Sequence, residues 1–252
     1  DVYHKIHENL SAQAFFNEQA LRLRERGIKV YMVGGNHDPI SNKILPPPDN
    51  VHILATEKVE RIAHEAKGER PAYTIYGRSY SRAEENSNFS LGFKRDESDE
   101  NAIALLHTNV GTSGQGERYA RASLAELKAA GMDYWALGHI HQKQILHERQ
   151  PMIVYPGSTQ ALHINEPGMH GCCLVEMNEG AVVRHEWLPT GIIAFAQIEL
   201  DVSEIAEEDE LAMRLFEQFR QKLDELDVSH EGEGLKGYLV RLTLIGTRQA
   251  ML

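Results

Sequence analysis

Apolar positions in this chain come mostly in short runs, and several of these stop at glycine followed by polar, chemistry-bearing residues. Val30-Tyr31-Met32-Val33 is apolar without alternation, the pattern of a strand buried on both faces, and runs into Gly34-Gly35-Asn36-His37-Asp38. Ala102-Ile103-Ala104-Leu105-Leu106 stops at His107, and Tyr134-Trp135-Ala136-Leu137 stops at Gly138-His139-Ile140-His141. Residues 51–54, 73–77 and 152–155 read as further short strands. From Ser11 to Arg26 the period becomes helical, with Ala12, Phe16, Ala20 and Leu23 on one face and Gly27 as the stop. Ser123-Leu124-Ala125-Glu126 predicts a capping box that opens a helix ending at Gly131. Gly171 to Met177 and Ala181 to Leu188 predict a hairpin across Asn178-Glu179-Gly180.

Near Pro189 the pattern changes. Ile192 to Leu200 reads as a strand, and about Glu204 to Leu226 as a helix with Leu211, Leu215, Phe219 and Leu223 at i+4 spacing. Val240, Leu242 and Leu244 then alternate with Arg241 and Thr243 as a strand with one solvated face. This predicts a small β-α-β domain over 191–252, appended to a domain over 1–190. In the larger domain, helix and strand alternate as in a parallel sheet whose first strand lies at or before residue 1. The polar span from Ser79 to Glu100 reads as a mobile loop or surface excursion, and Pro46-Pro47-Pro48 as a rigid exposed loop. The glycines of 111–116 lack the Lys-Ser/Thr and spacing of a nucleotide P-loop and read as a plain loop.

Composition narrows the function classes. The chain has 252 residues, 26 basic against 37 acidic, for a net charge of −11. That balance argues against a broad basic nucleic-acid surface but not against a nucleic-acid enzyme, because bound divalent ions can offset a carboxylate-rich site and basic residues can cluster locally. No run approaches the roughly 20 apolar residues of a membrane helix, so no membrane role is expected and the protein is placed in the cytoplasm. Cys172 and Cys173 are adjacent in a strand-like run and point to opposite faces, which suits a reducing compartment rather than a disulfide.

The chemistry lies in the polar ends of the runs. Sites in open α/β sheets form at the carboxyl ends of strands. An amide oxygen suits a hard cation, while imidazole suits Zn, Mn or Fe and also proton transfer. Histidines at i and i+2 of a strand face one way, so His139 and His141 are expected to look into one cavity. Three strands ending in imidazole or amide groups point to a metal centre.

These residues resemble the calcineurin-like metallophosphoesterases, and most closely their DNA-repair exonuclease branch, the SbcD-like nuclease subunits. The likeness rests on Gly35-Asn36-His37-Asp38, His107 and Gly138-His139-Ile140-His141. Asp1-Val2-Tyr3-His4 matches the nuclease form of the family's Gly-Asp motif, and Pro156-Gly157-Ser158 and Glu166-Pro167-Gly168 are similar to that branch. The resemblance implies a core of two packed mixed β-sheets flanked by helices, with a small capping domain. The family's opening Asp-x-His motif is absent, so the chain is read as truncated at its amino end and the capping domain as incomplete.

The resemblance also implies roles. Asp1, Asn36, His107, His139 and His141 would hold two divalent metal ions, with Mn2+ the expected metal given mixed carboxylate, amide and imidazole ligands. Two such ions about 3.5–4 Å apart bind a phosphate, generate hydroxide and stabilise a leaving oxygen. His37 would assist the leaving group with Asp38 orienting its ring, and His4 would contact a phosphate. The implied function is a DNA exonuclease or endonuclease acting in repair as a homodimer with a coiled-coil ABC-type ATPase. A small-molecule phosphodiesterase or phosphatase on the same core is the alternative, and a non-catalytic metal-site scaffold the third.

Overall fold

The computed structural model describes residues 2–3, 10–40, 45–68, 71–111, 120–203, 205, 208–227 and 234–246. The chain divides into two compact units, Asp1–Pro156 with Val175–His185, and Gly157–Leu174 with Glu186–Leu252. The unit that holds the residues after 190 therefore also takes in 157–174, a segment whose pattern does not set it apart.

The first unit opens with helix α1 (Leu10–Glu25) and the short strands β1 (Val30–Met32) and β2 (Val51–Ile53), which pair in parallel. Phe16 and Ala12 of α1 lie on Met32, Ile53 and Tyr3, as the apolar face of the helix requires. β3 (Glu60–His64) and β4 (Tyr73–Arg78) follow, then a 3-10 turn at Phe89–Gly92 and β5 (Ala102–His107). A two-residue parallel ladder joins β6 (Asn109–Val110) to β7 (Arg121–Ala122), and α2 (Leu124–Ala129) begins at the expected capping box of Ser123 and Glu126. β8 (Tyr134–Gly138), β9 (Gln144–His147) and β10 (Met152–Tyr155) complete a six-stranded mixed sheet of order β3-β4-β5-β8-β10-β9.

The four central strands of this sheet are parallel, and β3 and β9 close it as antiparallel edges. Central parallel strands must be covered on both faces, which is why Ala102, Ala104, Leu106, Trp135, Leu137, Met152 and Val154 are all buried. Trp135 also donates its indole N–H to the Leu127 carbonyl at 3.2 Å, fixing α2 to the sheet. The result is the mixed α/β architecture expected from the sequence, with few helices. It also sets the carboxyl ends of β5 and β8 side by side.

One expectation for this unit is corrected, and one strand forms that the sequence pattern does not predict. The span from Ser79 to Glu100 is no surface excursion: Tyr80, Phe89 and Phe93 belong to the main core, and Glu85 and Asp99 are buried. Its charged residues conceal three aromatic anchors spaced too irregularly to show a period. Strand β3 is also present where the sequence pattern suggests none, because Ile62 is the single strongly apolar residue in its five. The loop over 112–116 lies outside the described residues.

The hairpin of β11 (Gly171–Asn178) and β12 (Ala181–Pro189) forms as its turn residues predict. In the second unit β13 (Ile193–Asp201) and β14 (Gly237–Ile245) pair in parallel, and α3 (Glu208–Asp227) lies against β13. Ala194, Ala196, Ile198 and Leu200 of β13 are buried. Val240, Leu242 and Leu244, expected to face inward, are 37%, 45% and 49% exposed, while α3 packs against β13. Ser158 and His170 share a hydrogen bond of 2.6 Å, and Gly168 bridges to Phe195, so Gly157-Ser158 and the Glu-Pro-Gly segment belong to this unit. Cys172 and Cys173 are free thiols. Among the described residues no helix is long and apolar enough to cross a membrane.

Candidate metal centre

Asn36, His107 and His139 come from sequence positions up to 103 residues apart and meet at a single point. His107 Nε2 lies 2.8 Å from Asn36 Oδ1, His139 Nδ1 lies 3.3 Å from the same oxygen, and the two ring nitrogens are 3.2 Å apart. Hydrogen bonds cannot satisfy this triangle fully. The amide oxygen only accepts and each nitrogen carries at most one proton, so two hydrogens must serve three contacts. A cation resolves it: donors at right angles on bonds of about 2.1 Å are about 3.0 Å apart. The donor set of amide oxygen and imidazole nitrogen fits a divalent metal.

The fold explains how each donor arrives. His107 is the last residue of β5, where it is only 1% exposed. It pairs in register with Gly138, the last residue of β8, and His139 follows directly. Strand alternation is not what places His139 and His141, since β8 ends before both. His139 instead adopts φ +102, a conformation that side chains avoid and that persists where the surroundings enforce it. That bend turns its ring toward His107, with ring centroids 5.1 Å apart and nearly perpendicular planes.

Burial drives the His107 imidazole well below its usual pKa, and the nearby His139, His37 and His141 rings add to the effect. The neutral ring is the form that binds metal. The same electrostatics place His37 and His141 in the neighbourhood of His107; His37 is half-buried and His141 exposed. Asp1 and His4 lie outside the described residues. Among those described, no three His, Cys, Asp or Glu side chains gather as a metal cluster, and the donor set found here depends on the Asn36 amide.

The turn carrying Asn36 is held from several sides. Gly34 N–H donates to Ser79 Oγ at 3.1 Å, and Tyr80 N–H donates to the Gly34 carbonyl at 2.9 Å. A Cβ on Gly34 would fall 2.9 Å from the Asp38 carbonyl oxygen as well as 2.7 Å from Ile40 Cδ1, so the turn favours glycine there. Asp38 is 1% exposed, and its carboxylate accepts from three backbone amides, Val2, Tyr3 and Gly35. Among the described residues the hydrogen bonds of this carboxylate run to the backbone. Tyr80 was not singled out in sequence, yet it meets the His107 ring edge-on at 5.3 Å and is fully buried. Its place in a polar span conceals it.

Residues 11–180, more than half of the chain, match the family described as the calcineurin-like phosphoesterase superfamily domain. The chain belongs to this superfamily. It is also similar to a Bacillus subtilis protein named "Uncharacterized metallophosphoesterase YhaO", 35% identical over 206 residues that cover 81% of the chain and 50% of the relative. The chain thus spans about half the length of the curated relative it matches. Calcineurin-like metallophosphoesterases hydrolyse phosphoesters with divalent metal ions, and the convergence of Asn36, His107 and His139 fits that chemistry.

Proposed function

We propose that this phosphoesterase chain is the nuclease portion of a DNA exonuclease or endonuclease acting in repair, with Mn2+ as its working metal. In this reading it acts as a homodimer together with a coiled-coil ABC-type ATPase. The meeting of Asn36, His107 and His139 at 2.8–3.3 Å is the observation that carries hydrolysis. The Asp1-Val2-Tyr3-His4 form and the β-α-β segment over 193–245 support DNA as the substrate.

Bound divalent ions supply charge neutralisation of the phosphodiester and an activated water. The chain's residues do the rest. Asn36, His107 and His139, with Asp1 and His141, hold the ions. His37, beside the site, donates a proton to the departing oxygen. His4 contacts a phosphate.

The test is Mn2+-dependent cleavage of end-labelled linear DNA, run beside bis-p-nitrophenyl phosphate with the full natural chain. Cleavage of both, abolished in His139→Ala, supports the nuclease. Hydrolysis of the small ester alone moves the reading to a small-molecule phosphodiesterase, which the net charge of −11 favours. Activity on neither substrate leaves a metal-site scaffold.

A further inference from the structure

We infer that Asp38 is a positioning residue that locks together two chain segments, each carrying a metal ligand. Its two carboxylate oxygens divide the task. Oδ2 accepts from the backbone N–H groups of Val2, at 2.5 Å, and Tyr3, at 3.1 Å. Oδ1 accepts from Gly35 N–H at 2.8 Å. Val2 is covalently next to Asp1, and Gly35 is next to Asn36. One buried carboxylate therefore sets the distance between the segment leading from Asp1 and the turn presenting Asn36. The inference rests on the reading of Asp1 and Asn36 as ligands.

Physical chemistry favours a carboxylate here. An ionised carboxylate offers about four lone-pair sites and accepts charge-assisted hydrogen bonds roughly twice as strong as neutral ones. Asparagine at this position would turn an NH2 group toward backbone N–H donors. Burying a charge is costly unless it is well bonded, and three amide donors meet that cost. The other contacts of both segments make the clamp stiff rather than merely present. The Tyr3 ring is anchored edge-on against Phe16 at 5.9 Å, and the Gly34 turn is tied to Ser79 and Tyr80. Between these anchored regions, Asp38 is the shared member.

The test counts metal rather than turnover. Mn2+ binding to the full natural chain is followed by EPR of the free ion, for wild type, Asp38→Asn and Val2→Pro. The proline variant deletes the Val2 N–H, leaves the carboxylate in place and changes a side chain that is 45% exposed. Phe93→Leu, a core change away from the site, serves as the destabilised control. The expected result is a 10–100-fold loss of Mn2+ affinity in Asp38→Asn, as for other groups that orient ligands, with a loss in the same direction for Val2→Pro. Phe93→Leu is expected to bind as wild type. Wild-type affinity in both Asp38→Asn and Val2→Pro overturns the inference, and so does an equal loss in Phe93→Leu. If Asp38→Asn does not fold, Asp38→Glu decides: it keeps the charge but shifts the oxygens by one methylene, so a loss of about 10-fold or more in Mn2+ affinity supports the clamp and wild-type affinity overturns it. Failure of wild type to bind Mn2+ overturns the metal-centre reading itself, and with it the inference, so the two failures are told apart.

Discussion

Gly138 stands opposite His107 in the β5–β8 ladder, and a Cβ at 138 would lie 3.0 Å from His107 Nδ1. The imidazole is thus seated against bare backbone. Gly138→Ala forces the ring or the backbone beside it to give by a few tenths of an ångström, and weakening of metal affinity by about 10-fold is expected. Calorimetric titration with Mn2+ checks this, and unchanged affinity would show that the ring has room to shift.

His139 and His37 are expected to separate binding from chemistry. His139→Ala removes a donor from the triangle and should lose metal and hydrolysis together. His37→Ala should keep the metal and lose about 10²–10⁴-fold in turnover, the usual contribution of a positioned proton donor. Metal analysis beside bis-p-nitrophenyl phosphate kinetics decides, and loss of metal from His37→Ala would make His37 a ligand.

Much of the molecule was legible in the sequence where a single local rule governs it. Met152 to Tyr155, the hairpin turn at Asn178-Glu179-Gly180 and the Ser123–Glu126 capping box each carry their own signal, and each forms as expected. The polar ends of β1, β5 and β8 likewise announced Asn36, His107 and His139. What escaped depends on distant partners. Tyr80 and Phe89 are buried by the fold despite charged neighbours, and the bend at His139 replaces the strand alternation expected for the histidine pair. The bonds from Asp38 to amides some 35 residues earlier have no local signature at all.

Phe89 gives the reassigned 79–100 span an energetic test. Its ring is 1% exposed, meets Tyr80 edge-on at 5.5 Å and carries the Arg78 guanidinium 3.9 Å from its centroid. Phe89→Ala should cost about 3–5 kcal/mol through lost burial and a cavity. Urea unfolding measures it. A cost below about 1 kcal/mol, within the range of surface substitutions or just beyond, would return this span to the periphery.

Asp99 sets an acid limit on stability. Burial alone raises a carboxyl pKa, but hydrogen bonds from Arg61, Tyr76 and Thr74 outweigh it and hold Asp99 below its ordinary value. Arg61 Nε donates at 2.8 Å, while its Nη2 reaches the other carboxylate oxygen. The folded state therefore binds fewer protons here than the unfolded chain, whose aspartates titrate near pH 3.9. Stability from this group is complete above about pH 3.9 and is lost as pH falls through the lower, folded value. Asp99→Asn removes the charge-assisted bonds and should cost about 1.5–2 kcal/mol at pH 7, the low end for bonds to a charged group because Arg61 is partly solvated. The difference between variant and wild type should then shrink toward the acid limit. Urea midpoints at pH 7 and about pH 3 test this, and a difference independent of pH would show that Asp99 acts through shape rather than charge.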